Sequence, residues 1–146
     1  MEKSRARFFH HMHEKFSLDR IRGRKASHPH AKTVVHPECP AEIVDEADYV
    51  GSTAGILEYC GQSEAKEFIV VTESGILVEM RKRFPEKDFI PAPPVHEATR
   101  NECNYIKMIT LESILAYLES ETPEVLLDET IRAAAKRSID NMISIR

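Results

Sequence analysis

Apolar residues in this chain form short unbroken runs, separated by segments whose apolar positions recur at helical spacing. Lys32-Thr33-Val34-Val35-His36 and Glu67-Phe68-Ile69-Val70-Val71-Thr72 are two such runs, and Asp88-Phe89-Ile90 is a shorter third. A run that is apolar throughout, rather than alternating, is what a parallel strand covered on both faces requires. Between the runs the period changes. Pro40 suits a first helical turn, and the spacing predicts a helix over Ala41–Tyr49 with Ile43, Val44 and Ala47 inward. Gly51-Ser52-Thr53 breaks the chain, and a second helix carries Ile56, Leu57 and Tyr59. Ser74-Gly75 opens a third with Ile76, Leu77, Met80 and Phe84 on one face, stopped by Pro85. Earlier, Ser17 is placed to cap a short helix that Gly23 ends near Arg22.

Beyond the third run, 91–102 is a proline-containing loop without periodicity. Thr110 then caps a helix with Leu111, Ile114, Leu115 and Leu118 on one side. Asp128 caps a last one with Ile131, Ala135, Ile139 and Met142 at helical spacing, and both stripes read as core. Strand–helix repetition predicts an α/β fold, a three-layer domain with a parallel sheet, plus a C-terminal helix. The expected divisions are a divergent N-terminal segment at 1–30, an α/β domain at 31–120 and a helical extension at 121–146. In such a domain chemistry sits where strands end: at His36-Pro37-Glu38, at Glu73-Ser74-Gly75, and in the loop carrying Cys103.

Composition narrows the class. The 146 residues are 42% hydrophobic and 30% charged, the profile of a globular domain, with no apolar run of membrane-spanning length and no apolar stretch at Met1–Arg7. A cytoplasmic protein without a membrane is expected. Residues 1–25 hold eight Lys and Arg against three acids, on a chain whose net charge is −4. No aromatic-interleaved motif accompanies the basic residues, so a solvated face is expected there and no nucleic-acid partner. Three cysteines at long spacing (Cys39, Cys60 and Cys103) argue against a disulfide framework and a local zinc site.

Several residues suit chemistry. A histidine and a carboxylate right after a strand, as in His36 and Glu38, can shuttle a proton or hold an amine, though a loop histidine is often merely solvated. Gly51-Ser52-Thr53 at a helix start suits a phosphate or carboxylate, or else plain capping by Ser52. Cys103, in a loop, is expected to be more exposed than a core cysteine and available to a metal. Cys60 reads as structural and Cys39 is ambiguous. His10-His11-Met12-His13 has ligands too close together to converge on zinc, so a solvated arm is expected.

Four segments, in order, resemble one family. Val35-His36-Pro37-Glu38-Cys39-Pro40 with Ala47-Asp48-Tyr49-Val50-Gly51-Ser52-Thr53 is similar to a V-H-P-E-C-P … A-D-x-V-G-S-T stretch of the quinolinate synthases. Phe68–Ile76 resembles their T-E-x-G-I turn, and Asn101-Glu102-Cys103-Asn104-Tyr105-Ile106-Lys107-Met108 their cysteine loop. The resemblance implies three similar α/β domains around a central site. It implies condensation of iminoaspartate with dihydroxyacetone phosphate to quinolinate, on the route to NAD, with L-aspartate oxidase as a functional partner. It also implies a [4Fe–4S] cluster held by one cysteine from each domain, with an open iron site acting as a Lewis acid. Carried over, Cys103 matches the third cluster ligand. His36 and Glu38 match the catalytic pair, and His13, His36, Pro37, Glu38, Ser52 and Thr53 match substrate-binding positions. The second cluster cysteine is replaced by His10, and the first belongs to a domain without a counterpart among these residues. The expectation is a C-terminal part that is inactive and holds no stable cluster alone. The alternatives are a non-catalytic, partner-binding module of the same fold and, more remotely, a His-rich metal-binding protein.

Overall fold

The computed structural model of the chain describes residues 12–93 and 101–145. The chain divides into two compact units, Met1–Lys107 and Met108–Arg146.

The first unit is built on four parallel strands: β1 (Lys32–Val35), β2 (Tyr49–Val50), β3 (Glu67–Val71) and β4 (Asp88–Pro91), in the order β2-β1-β3-β4. The register pairs Val34 with Val70 and Val35 with Val71, and Phe68 with Phe89. Because side chains alternate across a strand, each apolar run serves two cores. Val34, Phe68, Val70 and Phe89 face one side, where they meet Ile56 and Cys60 of α3 (Thr53–Gln62) and Leu77 and Met80 of α4 (Ile76–Arg83). Val35, Ile69, Val71 and Ile90 face the other. There they meet Met12, Phe16, Ile21 of α1 (Leu18–Ser27), Cys39, and Ile43 of α2 (Ala41–Val44). Phe68 and Phe89 stack at 5.7 Å and Tyr59 meets Phe68 edge-on at 6.5 Å, which ties α3 to the two strands. The α/β class and the parallel sheet are as the apolar runs predict.

Three local expectations are corrected. The helix predicted over Ala41–Tyr49 stops at Val44, and Tyr49–Val50 is instead a fourth strand. Asp48 diverts the chain: its Oδ2 accepts the Thr33 N–H at 2.8 Å and its own N–H donates to the Thr33 carbonyl at 2.9 Å. Tyr49 then stacks on Tyr59 at 4.2 Å. The first helix runs through Gly23 to Ser27, and Ser17 makes no side-chain cap. Gly23 is exposed with open space around it, so its helical cost of about 1 kcal/mol is all there is to oppose continuation. The stop comes ahead of Pro29, whose ring disfavours helical backbone in the residue before it.

The third correction concerns the second unit, which holds α6 (Leu111–Ser120) and α7 (Glu129–Ser144) after the short α5 (Asn104–Lys107) that closes the first unit. Both caps are as predicted. Thr110 and Ser113 form a reciprocal capping box, and Asp128 Oδ1 accepts from Thr130 and Ile131. The stripes, however, are not core. Leu111, Leu115, Leu118, Ile131, Ile139 and Met142 are all exposed. Periodicity marks which face is apolar but not what covers it.

Candidate functional site

The strands of the first unit deliver several polar residues to one edge. His36 follows β1, and its N–H donates to the Val71 carbonyl at 3.1 Å, so the turn stays on the sheet. Pro37 occupies the exposed tip, and the Cys39 N–H closes the turn on the His36 carbonyl at 3.0 Å. Glu38 is thereby aimed back over the edge, where its Oε2 lies 3.1 Å from His13 Nδ1. His13 sits in a single 3-10 turn (His13–Lys15) and is buried. Its other nitrogen, Nε2, lies 3.1 Å from the hydroxyl of buried Thr72, just past β3. The rings of His13 and His36 stack at 4.2 Å, within 8° of parallel. A solvated arm is therefore wrong for His13, while His10 and His11 lie outside the described residues.

The bonds favour one tautomer of each ring in its neutral form. A carboxylate only accepts, so neutral His13 carries its proton on Nδ1 and takes the Thr72 O–H at Nε2. The Glu38 backbone N–H points at His36 Nδ1, 3.3 Å away, which leaves the His36 proton on Nε2. Neutral forms of the two stacked imidazoles are thus suited to opposite tautomers beside one carboxylate.

His13, His36 and Glu38 line a hollow of about 230 Å³ together with Thr53, Thr72 and Glu73, with Met12 and Ile106 as apolar wall. Thr53 begins α3, and Ser52 before it uses its hydroxyl to cap the Gly55 N–H at 3.2 Å. Of the residues singled out in the sequence, His13, His36, Glu38 and Thr53 converge here. Ser52 serves the helix and Pro37 shapes the turn. From the sequence Glu73 is placed at this edge without a role of its own, and Thr72 is not singled out. The signal was present, since both follow β3 as His36 follows β1.

One ligand atom each from His13, His36 and Glu38 lies within 4.8 Å of the others, a spacing a metal ion can use. The stacked rings do not suit it. An ion at the ~2.1 Å of a metal–imidazole bond to both rings would sit about 2 Å off each ring plane, where imidazole has no lone pair. The arrangement fits a small polar ligand better.

The cysteines are separated. Cys39 lies in one core, its Sγ 3.6 Å from the Val71 carbonyl, and Cys60 lies in the core on the opposite face of the sheet. Burial pushes both thiols up to about 12. Cys103 belongs to the segment that returns to the strand ends: the Ser74 N–H donates to the Asn101 carbonyl at 2.7 Å, and the Asn101 amide donates to the Ala92 carbonyl beyond β4. The expectation that a loop places Cys103 in the open is corrected, because this clamp leaves it 1% exposed. Three thiolates of this chain cannot meet at one point, so these residues do not fit a cubane cluster on their own.

A larger hollow, about 310 Å³, lies away from this edge between α1 and the approach to β2. Its charged groups are paired with one another: Arg22 with Glu46, and Lys25 with Asp48 at 3.4 Å. Among the described residues no helix is long and apolar enough to cross a membrane.

Residues 7–144 match the protein family described as quinolinate synthetase A protein. The chain belongs to that family. It is 42% identical to the quinolinate synthase of Trichormus variabilis over 134 residues, which is 92% of this chain and 41% of that protein. It is likewise 42% identical to the quinolinate synthase of Chloroherpeton thalassium over 136 residues, covering 92% of this chain and 42% of the relative. The chain therefore spans about two-fifths of the length of the curated relatives it matches.

Proposed function

We propose that the hollow is one wall of a quinolinate synthase active site, and that this chain works when the rest of such an enzyme is supplied to it. The observation that carries the reading is the meeting of His13, His36, Glu38 and Thr53 at one sheet edge, in a chain of this family. The reaction is the condensation of iminoaspartate with dihydroxyacetone phosphate to quinolinate, a step toward NAD. It takes place in the cytoplasm with L-aspartate oxidase as the source of iminoaspartate, and needs neither nucleic acid nor membrane.

The roles follow from the tautomers. Glu38, oriented by the His13 Nδ1–H, is the base nearest the histidine pair. His36 presents Nε2–H as the proton donor for a developing oxyanion. Thr53 and the first turn of α3 receive a carboxylate or phosphate, since N–H groups at a helix start carry partial positive charge. Pro37 and Ser52 act by shaping these elements. Cys103 is the one cysteine assigned to a [4Fe–4S] cluster, whose other ligands come from outside these residues. When bound, the cluster supplies a Lewis acid.

The exposed apolar stripes of α6 and α7 support a chain that works against another polypeptide surface. The test is complementation. The chain is mixed anaerobically with a polypeptide covering the remainder of the Trichormus variabilis relative, and quinolinate is measured. Quinolinate from the mixture, none from either part, and none when His36→Ala is used, is the expected result. No product from a mixture that associates and holds a full complement of iron favours the non-catalytic, partner-binding reading.

A further inference from the structure

Glu73 lines the same hollow, and its two oxygens are treated differently. Oε2 accepts the Gly75 N–H at 2.7 Å. Oε1 is buried with no hydrogen-bond partner; its charge is paired with Lys107 Nζ at 4.0 Å, an ion pair too long for a hydrogen bond. Buried polar atoms are seldom left without a hydrogen bond in a native protein. Gly75 shows that the placement is built in. Its φ of −59° is open to any residue, yet a Cβ there would fall 2.6 Å from Glu73 Oε2. Gly75 is thus a seat for the Glu73 carboxylate rather than a conformational requirement.

The other polar groups of the hollow sort by role. His36 Nε2–H and the Thr53 hydroxyl are donors, suited to carboxylates of a ligand. Glu38 already accepts from His13. We infer that Glu73 Oε1 is the acceptor for a ligand N–H, so that this site selects a small dicarboxylate bearing an amine or imine nitrogen over one without it. The inference rests on reading the hollow as a substrate site and adds the residue that recognises nitrogen.

Two substitutions test it without disturbing the core. In Glu73→Gln the amide oxygen stays on the Gly75 N–H, so an NH2 replaces Oε1 and a donor faces the ligand. In Gly75→Ala the new Cβ displaces the tip of the Glu73 side chain, which is flexible enough to yield. Calorimetric titration of the full chain compares L-aspartate with succinate, the same dicarboxylate without the amine. The wild-type chain should prefer L-aspartate roughly tenfold, the scale of one charge-assisted hydrogen bond. Both variants should bring the two affinities to within about twofold of each other while succinate binds as before. An unchanged preference in Glu73→Gln, or equal affinities in the wild type, overturns the role of Glu73 and leaves the hollow standing as a dicarboxylate site. Failure of both ligands to bind overturns the inference and the substrate-site reading together.

Discussion

Replacing Thr72 by Val keeps the side-chain shape and removes a single hydroxyl from the base of the site. Thr72 and His13 are 3% and 6% exposed, so water cannot take over the lost bond at His13 Nε2. A buried hydrogen bond contributes about 1 kcal/mol net, and stranding its partner costs about 1–3 kcal/mol. The methyl that replaces the hydroxyl returns about 0.8 kcal/mol of apolar burial. The balance is a destabilisation of about 1–2 kcal/mol. Urea unfolding reads this as a midpoint lowered by about 1 M, given slopes of about 1–3 kcal/mol per molar. Thr72→Ser, which keeps the hydroxyl, should recover most of this loss, and in both variants the Glu38 carboxylate should keep the proton of neutral His13 on Nδ1 in imidazole nitrogen spectra. A Thr72→Val chain within about 0.3 kcal/mol of wild type would refute the claim that this hydroxyl anchors the buried ring.

Three further outcomes are expected. At pH 8 only about one in ten thousand Cys39 or Cys60 thiols is ionised, against about a quarter for an ordinary thiol. Native alkylation followed by mass spectrometry should therefore find both at least a thousandfold slower than a model thiol; labelling at ordinary rates would mean they are not core residues. The Asp48 carboxyl is held below its usual range: loss of surrounding water works against this, but is outweighed by hydrogen bonds from Lys32 and the Thr33 N–H and by the charges of Lys25 and Lys32. Its contribution is therefore complete above about pH 4 and lost as pH falls through the depressed value, so Asp48→Asn should flatten the acid limb of stability, and parallel acid limbs would contradict it. Amide exchange should be slowest in β1 and β3 and fast throughout α6 and α7, whose apolar faces are exposed; protection of α6 and α7 equal to the strands would show that these faces are covered.

The strands that matter most were legible because their chemistry is local. Val34-Val35 and Phe68-Ile69-Val70-Val71 are apolar on both faces, and only a covered parallel strand uses such a run. The positions of His36 and Glu38 followed from that placement. Tyr49–Val50 was not legible, since two residues carry no period and Asp48 holds them through a bond to Thr33, 15 residues away. The residues around His13 read as a solvated arm for the same reason, and only the family resemblance places it among the substrate-binding positions. Its partners lie 25 and 59 residues downstream, and nothing beside it in the chain announces them. Cys103 looked open because loops usually are, yet the bond between Ser74 and Asn101 folds that loop onto the strand ends.

The central claim is that a ligand enters between His13, His36, Glu38 and Thr53. Titrating the isotopically labelled chain with quinolinate, while following histidine imidazole and backbone amide resonances, tests it most directly. The account predicts shifts concentrated on His13, His36, Glu38, Thr53 and Thr72, reduced in His36→Ala. Shifts confined to the basic residues of α1, Arg20 to Lys25, with the histidines unmoved, would contradict it.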